Sequence, residues 1–110
     1  MTLSTTDVLT RIVGPANMAN GTSTVFTGTA SHRYTVKNIR VVNNTAGSIT
    51  FKLGIGGVTD ALLFVQEITL AAKDNYDDDI NMLVLEGAET IQANTTATGL
   101  TITISGLDQS

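Results

Sequence analysis

Between Ser48 and Ile55 apolar and polar residues alternate without a break: Ile49, Phe51, Leu53 and Ile55 fall on one side of an extended chain, and Ser48, Thr50, Lys52 and Gly54 on the other. Successive side chains of a strand point to opposite faces, so this pattern predicts a strand with one buried face. Leu100, Ile102 and Ile104 alternate with Thr101, Thr103 and Ser105 in the same way, and Gly106 marks the end of that strand. Residues 33–43 behave differently: Tyr34 and Val36 share one phase, Ile39 and Val41 the other. A one-residue slip would turn half of this set to solvent, so the pattern predicts a bulge near Asn38 that restores the buried face. Asn43-Asn44-Thr45-Ala46-Gly47 then supplies turn residues, which predicts a hairpin pairing 33–43 with 48–55.

Shorter segments complete the set. Residues 61–70, an apolar run interrupted by Gln66 and Glu67, predict a strand; the polar, acidic residues 73–79 predict an exposed loop leading into a strand over 81–85. Glu86-Gly87-Ala88-Glu89 is a tight turn and 90–94 another strand. Upstream, 7–13 and 23–27 are strands separated by Gly14-Pro15 and Asn20-Gly21. Threonine is abundant beside Val, Ile and Leu, and β-branched residues fit a pleated surface better than a helix. No stretch of helical length carries a 3.6-residue stripe, and no repeat of 20–50 residues is present. The expectation is an all-β fold, a single antiparallel β-sandwich of about seven or eight strands, jelly-roll or Ig-like. The 110 residues suit one domain: the sandwich over 23–110, with 1–22 as an N-terminal arm or first strand.

Charge and composition narrow the function classes. Ten acidic against six basic residues give a net charge of −4, the wrong sign for neutralising phosphates, so nucleic acid is not an expected partner. With 42% hydrophobic and 15% charged residues, the chain is no disordered polyelectrolyte. The absence of cysteine removes disulfides, thiolate nucleophiles and cysteine-ligated metals. The N-terminal residues lack the basic and apolar regions of a signal peptide. The longest apolar run, Ala61-Leu62-Leu63-Phe64-Val65, is far short of the ~20 residues of a membrane-crossing helix. A soluble protein with no membrane partner is expected.

Few residues carry candidate chemistry. Gly54-Ile55-Gly56-Gly57 lacks the Lys-Ser/Thr and the helix of a phosphate loop and reads as a turn. His32, the single histidine, has no local triad signature. Asp74, Asp77, Asp78 and Asp79 are hard oxygen ligands at close spacing and form a weak Ca²⁺ candidate, against a solvated acidic loop. Counted from Asp74, however, position six is Asp79 instead of glycine and position twelve is Leu85 instead of glutamate, so the EF-hand pattern fails. Paired carboxylates for glycoside hydrolysis are not selected by any spacing, and the absence of Trp lowers the expectation of a carbohydrate platform. No cofactor is expected.

One further pattern is informative. Residues 83–93 read L-x-L-x-G-x-E-x-I-x-A around Glu86-Gly87-Ala88-Glu89, and an alternating strand ending in Ser105-Gly106 follows; earlier come Tyr34-Thr35-Val36, Ile39, Val41, Asn43 and Thr45 before a second alternating strand. Over residues 33–107 this resembles the small β-sandwich virion structural proteins of tailed bacteriophages, of decoration or fibre type. The resemblance implies a non-enzymatic structural protein located in the virion and made in the host cytoplasm. The expected role is a capsid decoration (cement) protein that clamps neighbouring major capsid protein subunits, as a homotrimer. The alternative is a tail-fibre, collar or receptor-binding module recognising cell-surface glycans, with Tyr76 and the aspartates at a groove rim. An enzyme on the same scaffold would need His32 to meet a carboxylate in a cleft. Leu3, Val8, Leu9 and Ile12, apolar residues scattered through the polar N-terminal stretch, are partner-contact candidates by strand addition, together with Tyr76.

Overall fold

The computed structural model describes residues 10–109, without the side chains of residues 80–82. Eight strands form: β1 (Thr10–Met18), β2 (Gly21–Thr27), β3 (Arg33–Asn43), β4 (Ile49–Ile55), β5 (Leu63–Leu70), β6 (Asn75–Glu86), β7 (Thr90–Thr95) and β8 (Leu100–Gln109). A single 3₁₀ turn at Asp60–Leu62 precedes β5, so only the later part of the 61–70 run is strand. The strands make two four-stranded antiparallel sheets, ordered β1-β8-β3-β6 and β2-β7-β4-β5. Successive strands thus change sheet at β1→β2, β2→β3, β3→β4, β5→β6, β6→β7 and β7→β8, which is the jelly-roll arrangement of an eight-stranded sandwich.

The core lies between the sheets. Val36, Ile39, Val41, Ile102 and Ile104 from one sheet face Phe51, Leu53, Ile91 and Ala93 from the other, all essentially without solvent contact. Tyr34 closes one end, its ring edge-on to Phe26 at 4.9 Å and its hydroxyl accepting the Thr29 amide at 2.9 Å. The phase change in β3 is a bulge, as the pattern predicts: β8 places Gly106 opposite Val36 and Ser105 opposite Asn38, leaving Lys37 without a partner. Both halves of β3 therefore bury their apolar set.

Four local expectations are corrected. The 33–43 and 48–55 segments do not pair; β3 lies between β6 and β8, and β4 between β5 and β7. Their alternations bury faces that look at each other across the core, a relation that period-two patterning shares with side-by-side pairing. The connection between them is a crossing fixed by Asn43, which is wholly buried. Its Nδ2 donates to the carbonyls of Gly47 (2.8 Å), Leu70 (3.1 Å) and Ala71 (3.1 Å). Its Oδ1 accepts from the Thr45 amide (2.9 Å) and hydroxyl (2.7 Å). Gly14-Pro15 does not separate two strands, because β1 runs through it with a register shift between Val13 and Ala16. Gly14 takes φ +82 there, and a Cβ would overlap the Ile102 carbonyl, so the irregularity needs glycine. The acidic 73–79 segment is largely strand: Asp77, Asp78 and Asp79 stand opposite Arg40, Ile39 and Asn38. Likewise β8 continues past Gly106 to Gln109, since a Cβ at 106 would overlap the Thr35 carbonyl and glycine allows the close approach.

Candidate functional site

The outer face of the β1-β8-β3-β6 sheet carries most of the polar chemistry. One register row crosses all four strands: Arg11 stands opposite Ser105, Ser105 opposite Asn38, and Asn38 opposite Asp79. With strands about 4.8 Å apart the row spans roughly 14 Å. Bulges disturb the sheet on both sides of β8, at Ile12 in β1 and at Lys37 in β3. Between them opens a groove of about 500 Å³ lined by Thr10, Arg11, Lys37, Asn38, Asp79 and Ser105.

Charge is sorted across this sheet. β1 and β3 carry Arg11, Arg33, Lys37 and Arg40 and no acid; β6 carries Asp77, Asp78, Asp79 and Glu86 and no base. Arg33 pairs with Glu86 at 3.0 Å. Among the described residues no carboxylate lies within 4.0 Å of Arg11 or Lys37. Asn38 ties down the acidic side, its Nδ2 donating to Asp77 Oδ1 (2.7 Å) and Asp79 Oδ1 (2.9 Å).

Strand geometry divides the four aspartates proposed as cation ligands. Asp77 and Asp79 are exposed on the outer face, whereas Asp78 and Tyr76 alternate onto the inner side. There the Tyr76 hydroxyl donates to Asp78 Oδ2 at 2.8 Å. Asp74 precedes the strand and accepts its neighbour's amide, from Asn75. Among the described residues, no three His, Cys, Asp or Glu side chains come together in a metal-holding group.

The contact candidates separate too. Leu3, Val8 and Leu9 lie outside the described residues. Ile12 is half-buried and packs on the core from its bulge. Tyr76 sits edge-on to Phe51 at 5.7 Å and does not line the groove. Its hydroxyl is pushed up to about 12 by burial first, then by the hydrogen bond and charge of Asp78.

His32 meets a carboxylate, Nδ1 to Asp108 Oδ1 at 2.7 Å, and its ring stacks on Tyr34 at 5.9 Å. The pair lies at the end of the sandwich, outside the groove, and no described hydroxyl bonds the other ring nitrogen. It ties the entry of β3 to the last residues of β8. Sequence reading missed the groove, because its walls come from positions 10–11, 37–38, 79 and 105. The bulge near Asn38 was its one visible trace.

No family model matches the sequence, and no curated protein does either. Two crystal structures, each of a pentameric capsid protein isolated from metagenomic phage sequences and one solved by iodide SAD phasing, are similar over 99% of this chain at 16% identity and a TM-score of 0.34. This chain spans 64% and 65% of the length of those two chains. The jelly-roll assignment therefore rests on the strand order of the chain itself.

Proposed function

We propose that this chain is a non-enzymatic structural protein of a bacteriophage virion, a decoration protein that clamps neighbouring major capsid protein subunits as a homotrimer. The observation that carries the reading is the β1-β8-β3-β6 over β2-β7-β4-β5 strand order, an architecture recurrent in viral capsid domains and lectins. It occurs in a chain whose residues 33–107 resemble phage virion sandwiches. Architecture alone does not assign function, so the surface has to agree. It supports a role in contact: the polar side chains converge on an open sheet face, and the His32–Asp108 pair lies outside that groove. Clamping would act by burying area across a seam between shell subunits, which raises the heat needed to open it.

The glycan-binding alternative draws on the same groove, whose floor of Asn38, Ser105 and Asp79 offers hydrogen bonds. Sugar recognition favours an aromatic platform, and Tyr76 is turned away onto Phe51. Peptide mass spectrometry and cryo-electron microscopy of purified particles of the encoding phage decide the matter. Density for the sandwich at threefold positions between shell subunits is expected. Its absence from particles overturns the reading, and its presence only on tail fibres replaces it with the alternative.

A further inference from the structure

The two outermost strands of the β1-β8-β3-β6 sheet, unpaired on their outer sides among the described residues, differ in charge. Edge strand β1 carries Arg11 and no acid, and Lys37, on the β3 bulge, lines the same groove. Edge strand β6 carries four acids and no base. The groove crosses the sheet between these edges: Arg11 of β1 lies at one end and Asp79 of β6 at the other, with Lys37 on the β3 bulge between them. Both cations are exposed and without a carboxylate partner among the described residues, whereas each aspartate, held by Asn38 through one oxygen, keeps a second oxygen free.

We propose that copies of this chain associate head to tail through this sheet, the acidic β6 edge of one copy docking from the β1 edge over the groove of the next, where Arg11 and Lys37 receive Asp77 and Asp79. The inference rests on the homo-oligomeric part of the virion reading and names its interface. The occupant is a second copy because one molecule presents both halves of the complement. A patch meeting a different patch on an identical neighbour is a heterologous contact, which closes into a ring when the rotation per contact divides the circle. A two-fold contact of β6 with β6 would oppose like charges, and one of β1 with β1 would do the same with Arg11. The outer backbone groups of both edge strands, unpaired among the described residues, add hydrogen bonds. The charges set register and orientation, and because they are exposed the association weakens as salt screens them.

The test is sedimentation and light scattering of the purified chain at ~0.05 and ~0.5 M salt, for the wild type and three variants: Arg11→Glu with Lys37→Glu, Asp77→Lys with Asp79→Lys, and all four together. Arg11 and Lys37 make no side-chain hydrogen bond among the described residues, so the first variant keeps the fold; the second also removes the partners of Asn38, and circular dichroism reports any folding loss. Expected are a salt-sensitive wild-type oligomer, at least a tenfold weaker association in each pairwise reversal, and recovery in the fourfold swap. A monomeric wild type at both salts, reversals without effect, or a folded swap that stays dissociated would each overturn the interface. If the chain is found on particles without self-associating, the interface fails and the virion reading stands. An oligomer absent from particles removes the virion reading and leaves the interface.

Discussion

Replacing Asn43 with alanine removes five side-chain hydrogen bonds from one buried point: three donated to the carbonyls of Gly47, Leu70 and Ala71, and two accepted from Thr45. An amide has two N–H groups, so three carbonyls share them and none is spare. The consequences differ by site. Leu70 is buried, so water does not replace the donor its carbonyl loses, a loss of about 1–3 kcal/mol, whereas Gly47 and Ala71 are exposed and water can replace the amide, leaving nearer 0.5–1 kcal/mol each. The sum is about 3 kcal/mol, a large part of the ~5–15 kcal/mol that holds a domain together. For a domain of this size it lowers Tm by roughly 12 °C or more. Asn43→Asp is the sharper test. It keeps the acceptor for Thr45 but turns an anion towards three carbonyl oxygens, which raises its folded-state pKa above the ~3.9 of a free aspartate. A group with a raised folded pKa stabilises below the unfolded value and loses that contribution as pH rises through the folded one. The Asp variant should therefore gain stability on acidification from pH ~7 to ~4, while the Ala variant does not. Urea unfolding followed by far-ultraviolet circular dichroism measures both, the chain having no Trp. An alanine cost under ~1 kcal/mol, or an Asp variant with no acid gain, would refute the account of Asn43 as the clamp between the two loops.

Three further outcomes follow from the same geometry. Deleting Lys37 removes the extra residue that keeps both halves of β3 in phase, so either Tyr34 and Val36 or Ile39 and Val41 turn to solvent; the variant should lose its dispersed amide proton spectrum, and a native-like spectrum would count against the bulge. Tyr76→Phe should remove an alkaline slope: with its hydroxyl raised from 10.0 to about 12, Tyr76 stabilises below pH 10.0, and that contribution fades towards pH 12. The wild type should thus lose its advantage over the variant across that window in urea midpoints. Calcium at millimolar concentration, or a chelator, should leave Tm unchanged, because alternation sends Asp78 to the face opposite Asp77 and Asp79; a shift of several degrees would signal a site that binds only the folded state.

The sequence disclosed faces more readily than neighbours. The buried sets of β3, β4 and β8 and the bulge between Val36 and Asn38 are visible because burial imposes a period and a phase. That period says which side of a strand is dry and is silent about which strand lies alongside, which is why β3 and β4 read as a hairpin and are found in opposite sheets. The aspartates of β6 looked like loop because polarity was taken for exposure on both sides. Asp77 and Asp79 are outward, but Asp78 is accommodated on the inner side by the Tyr76 hydroxyl, a cross-check available only once the strand is drawn. Asn43 looked like the first residue of a turn, which it is, while its burial depends on the β5–β6 loop some thirty positions later. The groove is a product of strand order, so four short stretches spread over the chain had to be brought together before any of it existed.

The interior position of β8 governs when this molecule can become itself. Synthesis runs from the N-terminus, and β1 and β3 emerge early, yet both pair with β8, Met18 with Leu100 and Asn43 with Leu100 at one end of the ladder. β3 can already pair with β6, but β1 has no other partner among the described strands and waits until the ribosome has delivered β8. Closing so long a loop makes the first productive encounter slow, and a chain stopped before Leu100 leaves β1 with no strand of its own sheet to bind. Emergence of β8 is therefore the step that completes this sheet, and β1 joins the sandwich only after it.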